Sequence, residues 1–292
     1  MHPALTPEKL RYLVTTLASA QPTLTTGGRA GTSALTEAQL GHLTEPDLLA
    51  LLRALMNTWQ PGELPADFWQ IQDAALQALT ARQGVVGLES LPASGSDQRI
   101  RLWKGDITRL QVGAIVNAAN SALLGCFAPG HHCIDNAIHS AAGLQLRLAC
   151  ADYMRQQAPG YAEPTGSAVI TPAYNLPAQA VIHTVGPIVS HHSPTATQKE
   201  ELASSYRSCL TLARDSGLSS IALCCVSTGV FGYPQEQAAQ VAVEEAQRFL
   251  NQLPAHENFT IIFNVFSERD HDIYSTLLNP TDSEPKPGPQ GR

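Results

Sequence analysis

The sequence carries no surplus of basic charge: 18 Lys and Arg stand against 25 Asp and Glu, a formal charge of -7. A chain that grips nucleic acid non-specifically needs a basic face, so that class is set aside. An anionic small ligand stays open, because backbone N–H groups bind phosphate without net positive charge. There is no apolar run long enough to span a bilayer. The first residues, Met-His-Pro-Ala-Leu-Thr-Pro-Glu-Lys, lack a basic stretch followed by an apolar one, so no secretory signal is expected. Cysteine is sparse, six in 292 residues, and Cys224-Cys225 fall inside an apolar run. They read as buried thiols and not as a disulfide framework, which points to a reducing, cytoplasmic setting. Internal repeats are also missing. What the chain does have is 43% hydrophobic residues, enough for a sizeable core.

The chain changes texture near residue 96. Thr6 as N-cap and Pro7 at the first helical position open a helix with Leu10, Leu13, Val14 and Leu17 on one face. Residues 21–33, rich in Thr and Gly, read as a loop, and Thr36 opens a second, short helix. Residues 45–59 and 67–82 follow as amphipathic helices. No strand-like alternation precedes Arg99, so residues 1–95 are expected to form an N-terminal helical extension. From Gln98 onward, short apolar strands (100–103, 114–117, 168–171, 180–185, 220–226, 260–266) alternate with helices (132–156, 198–216, 235–253, 270–278). Such alternation predicts an α/β sandwich whose sheet is buried on both faces. The purely apolar run 221–226 predicts a central strand. Residues 280–292 are polar and Pro-rich and are expected to form a disordered tail.

Four short segments carry chemistry. Cys126, His131 and Cys133 lie within eight positions, and Asp135 follows two residues later. Three such ligands on one loop suit zinc with a coordination position left open, the arrangement of a catalytic metal. Two ordinary thiols beside a surface histidine would give the same spacing, which is less diagnostic than paired Cys-x-x-Cys units. Asp106, in Gly105-Asp106-Ile107-Thr108 after a strand, suits either an exocyclic amine or a turn cap. Asn117 and Asn120 stand at the end of an apolar strand, where open α/β sheets bind ligands, and an amide suits ribose hydroxyls. The run Ser227-Thr228-Gly229-Val230-Phe231-Gly232-Tyr233 joins the most apolar strand to a helix. Its successive N–H groups can cradle a pyrophosphate, with Phe231 and Tyr233 as walls. His139 and His183 read as packed structural residues.

Taken together and in order, these segments resemble the macrodomain family. The matching stretches are Gly105–Thr108, Asn117–Asn120, Ile134–His139, Val181–Pro187 and Ser227–Gly232, across residues 98–279. The glycine run of ordinary hydrolytic macrodomains is replaced here by Gly-Cys-Phe-Ala-Pro-Gly-His-His-Cys, which looks like the zinc-containing microbial subclass. Residues 52–57 and 71–73 resemble that subclass too. The resemblance implies a three-layer α/β/α macrodomain with a mixed central sheet over residues 96–279. It also implies binding of ADP-ribose and zinc-dependent removal of mono-ADP-ribose from modified proteins. By position, Asp106 would take the adenine amino group and the Ile107 N–H the ring, with Phe266 stacking on the base. Asn120, with Asn117 nearby, would orient the proximal ribose, and Asp135 would sit beside it. Residues 227–233 would hold the diphosphate, and Cys126, His131 and Cys133 one Zn2+. The rival expectations are a reader that binds ADP-ribose without cleaving it and a deacylase of O-acetyl-ADP-ribose. Nucleic acid and membrane are not expected partners.

Overall fold

A computed structural model describes residues 5–21, 37–95, 97–254 and 256–279. The expected tail at 280–292, and all of the expected 21–33 loop but Gln21, lie outside the described residues. The chain opens with four helices: α1 (Pro7–Ala20), α2 (Glu37–Gly41), α3 (Glu45–Thr58) and α4 (Ala66–Gln83). Thr6 caps α1 and Thr44 closes a reciprocal capping box with Asp47 on α3, satisfying N–H groups that the first turn leaves unpaired. Their apolar faces meet in one cluster that includes Leu10, Leu13, Leu48, Leu55, Trp59 and Phe68.

The remaining elements are β1 (Val86–Gly87), β2 (Ile100–Lys104), β3 (Leu110–Gln111), β4 (Ala114–Ala118), α5 (Ile134–Ala142), α6 (Leu144–Arg155), β5 (Ala168–Pro172), β6 (Ala180–Thr184), α7 (Ala196–Asp215), β7 (Ser220–Leu223), α8 (Gln235–Gln252), β8 (Thr260–Val265) and α9 (Glu268–Leu278). Six strands form one sheet in the order β2-β8-β7-β4-β6-β5. All neighbours pair parallel except β5, which runs antiparallel to β6 at the edge. The sheet is therefore mixed, and the helices after residue 130 cover its faces. β4, β6 and β7 are buried almost throughout, as apolar parallel strands require.

Three expectations are corrected. β7 ends at Leu223, not Val226, because the Tyr206 hydroxyl takes over the next backbone groups: it donates to Cys224 O at 3.2 Å and accepts from Val226 N at 3.1 Å. The helix expected over 132–156 is two helices, broken at Gly143, whose φ of 97° is a conformation side-chain-bearing residues avoid. The break turns Leu144 into the N-terminal apolar cluster. Strand pairing also begins earlier than Arg99: β1 pairs in parallel with β3, too short a ladder to leave an alternation in the sequence.

Candidate active-site cleft

The carboxyl ends of β4, β6, β7 and β8 open onto a cleft of about 450 Å³, within the range of ligand pockets. One end is lined by Asn120, Cys126, His131, Cys133 and Asp135, the middle by Gly186 and residues 227–231, and the far end by Asn264, Phe266 and Asp270.

At the first end, the ligating atoms of Cys126, His131 and Cys133 all lie within 4.8 Å of one another. Cys126 Sγ is 3.5 Å from His131 Nδ1. Ligands at 2.0–2.3 Å from one tetrahedral ion stand about 3.5 Å apart, so the trio fits zinc with only a small contraction. Cys133 doubles as the N-cap of α5, its Sγ accepting from Asn136 N at 3.4 Å. Burial, then the neighbouring Cys126 and Asp135 charges, push the Cys133 thiol up to about 11. A bound cation would replace that proton.

Behind the trio, Asn117 at the end of β4 fixes the carboxylate of Asp135. Its amide donates to Asp135 Oδ1 at 2.8 Å and to His183 Nδ1 at 3.1 Å. His183 Nδ1 is thereby an acceptor, so its proton sits on Nε2, facing Thr171 Oγ1 at 3.0 Å. Burial raises Asp135 to about 6, against the Asn117 hydrogen bond and the Arg147 charge. Asn120 Nδ2 donates to Gly125 O at 3.1 Å and stands 3.5 Å from Asp135 Oδ2. Its Oδ1 accepts from Ala122 N and keeps a second lone pair.

A second group of similar type lies deeper: His139, Cys150 and His183, all buried, also with ligating atoms within 4.8 Å. Desolvation holds both imidazoles neutral, His139 well below its ordinary value and His183 at about 4. His139 Nε2 is 3.5 Å from Asp135 Oδ1 but forms no hydrogen bond there.

In the middle of the cleft, Ser227 adopts φ 65° and packs against Gly186, where any side chain would collide with the Ser227 hydroxyl. The N–H groups of Gly229, Val230 and Phe231 donate to no acceptor among the described residues, so this short arc is ready for an anion. The neighbours differ. Gly232 N donates to Gly229 O and Tyr233 N to Ser227 O, both at 3.0 Å, so these two N–H groups are used to hold the loop's shape. Phe231 lines the cleft, whereas Tyr233 is buried in the core and walls nothing.

At the far end, the Phe266 ring is 82% exposed and free to stack. Asp106 and Ile107 do not line the cleft. Asp106 Oδ1 accepts from Thr108 N at 3.0 Å and from Thr108 Oγ1 at 2.7 Å, the cap geometry, and its side chain borders a second cavity of about 250 Å³ against α3 and α4. Ile107 is buried.

Sequence reasoning missed Arg147, Asn136, Asn264 and Asp270. Arg147 is 2% exposed, with Nε donating to Leu124 O at 2.7 Å and Nη1 to Met56 O at 2.8 Å and Trp59 O at 2.6 Å. Its guanidinium carbon stands 4.5 Å from the centroid of the Phe127 ring. The available signal was a lone charge on the apolar face of α6, between Leu144, Leu146 and Cys150.

A family model of the Macro domain matches residues 116–242. A Treponema medium protein named protein-ADP-ribose hydrolase is 47% identical over 237 residues, covering 80% of this chain and 89% of that one. A Staphylococcus aureus (strain MRSA252) protein of the same name is 43% identical over 233 residues, covering 80% and 85%. Among solved structures, a Trypanosoma brucei macrodomain in complex with ADP-ribose matches with TM-score 0.60 and 32% identity, covering 78% of this chain and 95% of that one. An Oceanobacillus iheyensis macrodomain with ADP matches with TM-score 0.54 and 39% identity, covering 60% and 87%. Together with the mixed sheet and the cleft at its carboxyl end, these matches show that the chain belongs to the macro domain family.

Proposed function

We propose that the chain is a zinc-dependent hydrolase that removes mono-ADP-ribose from modified proteins at the bond to the proximal ribose. One observation carries this reading: the Cys126-His131-Cys133 trio, the Asp135 carboxylate and the 229–231 arc of backbone donors share one cleft. The names of the Treponema medium and Staphylococcus aureus relatives and the ADP-ribose in the Trypanosoma brucei structure support it.

In this reading the Gly229, Val230 and Phe231 N–H groups hold the diphosphate, and Phe266 stacks on the adenine. Asp106 and the Ile107 N–H would reach the base only by a local rearrangement, since neither lines the cleft. Asn120 accepts from a ribose hydroxyl through its free Oδ1 lone pair. Asp135, held by Asn117, aims its carboxylate at the anomeric carbon's side of the cleft and orients the attacking water. Zinc held by Cys126, His131 and Cys133 would supply a Lewis acid and a bound water of lowered pKa. The water oxygen ends on the anomeric carbon, and its proton leaves with the released side chain.

The test is release of free ADP-ribose from a mono-ADP-ribosylated protein by the full chain, before and after chelation. Release should stop on chelation and return with zinc, while circular dichroism shows the chelated chain still folded. Undiminished release from the metal-free chain would refute the zinc step. Retardation of the modified protein without release would make the chain a reader.

A further inference from the structure

The N-terminal helices meet the cleft at the loop that carries Cys126, His131 and Cys133 and at the start of α5. Asn57, on α3, is 1% exposed, and both polar atoms of its amide are hydrogen-bonded. Its Oδ1 accepts from Gly130 N at 2.9 Å, the residue immediately before His131, and its Nδ2 donates to Ser140 Oγ at 3.0 Å. One turn earlier on α3, Arg53 donates to Asn136 Oδ1 from Nε at 3.1 Å and from an Nη at 2.9 Å. Asn136 passes that hold on: its Nδ2 donates to Ala128 O at 3.1 Å, and its N–H donates to the Cys133 Sγ. The same Ala128 O accepts from His131 N at 3.2 Å. At the end of α3, the Met56 and Trp59 carbonyls fix Arg147, against whose guanidinium Phe127 lies. Three successive handles from α3 and its C-cap thus converge on residues 127–130, between the first and second members of the trio.

Resting on the reading that the trio holds zinc, we infer that Asn57 and Arg53 are positioning residues for the metal: α3 is a brace that presets the loop. Two features favour a brace over generic packing. The contacts are directional and partly buried, and they end on the backbone flanking His131 and on the cap of Cys133, not on the apolar cluster. A loop containing Pro129 and Gly130 has few contacts of its own to hold three side chains in register, so outside partners must set its shape.

The experiment compares the full chain with Asn57→Ala, Arg53→Ala, Arg53→Lys and Leu13→Ala. Zinc affinity is read by competition with a chromogenic chelator, and site geometry by the visible absorption bands of the cobalt-substituted protein. Outer partners of metal ligands are worth about 10- to 100-fold in affinity, and that loss is expected for Asn57→Ala and Arg53→Ala, with altered cobalt bands. Arg53→Lys, which still donates to Asn136 Oδ1, should recover most of it. Leu13→Ala cuts into the apolar cluster of the same helical layer, and should lower the melting temperature while leaving zinc affinity and the cobalt bands alone. Wild-type affinity and bands in Arg53→Ala overturn the brace, as does a loss in Leu13→Ala equal to that in Asn57→Ala. If Asn57→Ala does not fold, Arg53→Ala against Leu13→Ala decides. A wild-type chain that takes up neither zinc nor cobalt overturns the metal reading itself, before any substitution is made.

Discussion

Two clusters in this molecule look alike by composition. Cys126, His131 and Cys133 gather at the mouth of the cleft, and His139, Cys150 and His183 gather behind it, each with ligating atoms within 4.8 Å. What separates them is access to the cleft and the commitment of His183, since His139 has neither ring nitrogen hydrogen-bonded. In the outer cluster the sulfurs meet one backbone N–H, one imidazole nitrogen and each other, and all three residues line the cleft. In the inner cluster His183 has both nitrogens engaged, by Asn117 and Thr171, and Cys150 is pushed up to about 12 by burial. The inner cluster has no face on the cleft. Its work is mechanical: it seats Asn117, and Asn117 aims Asp135. Residue type and proximity therefore do not define a metal site; access to the ligand counts as well.

The sharpest way to break that contrast is Cys133→Ala. Zinc content should vanish and turnover should fall by at least about 100-fold, the scale of losing a main stabiliser of the reacting oxygen. ADP-ribose binding measured by calorimetry should persist, because the 229–231 arc is untouched.

The inner cluster should instead show itself in acid. Its imidazoles are neutral in the fold, His183 at about 4 against 6.5 when exposed. The unfolded chain then binds the extra proton, so stability is complete above pH 6.5 and is lost as the pH falls through that window. The loss for His183 is about 3 kcal/mol by pH 4, with His139 acting in the same direction. Urea unfolding at stepped pH measures it, and His183→Gln should flatten the slope.

Asn117→Ala severs the inner cluster from Asp135. About a tenfold drop in kcat with zinc content unchanged is expected, the cost of one lost charge-assisted hydrogen bond. The smallest effect is Cys150→Ala, for which zinc content and turnover should both stay at the wild-type level. A metal lost with Cys150 would erase the distinction between the clusters.

Much of this was legible in the sequence, for identifiable reasons. Apolar runs such as 114–116 and 180–182 marked buried strands, because burial on both faces leaves few polar positions to confuse the period. Cys126, His131 and Cys133 were legible because nothing structural demands those residue types around a Pro-Gly turn. Arg147 and Asn136 were not, since the partners of Arg147 are carbonyls 23 and 91 residues away and that of Asn136 is a guanidinium 83 residues away. The break at Gly143 was masked by helix periodicity continuing on both sides. Gly232 and Tyr233 could not be separated from Gly229 to Phe231 either, because which N–H groups a loop uses internally depends on its turn geometry.

The turn at Gly143 has a further consequence. By sending Leu144 into the N-terminal apolar cluster and placing Arg147 on the α3 carbonyls, it ties α6 to helices nearly a hundred residues earlier in the chain. A chain cut near residue 95 would keep every strand of the six-stranded sheet, yet would strip a guanidinium of two acceptors and bare a leucine to water. The seam visible in the sequence is thus not a seam in folding, and calorimetry should record a single melting event for both halves.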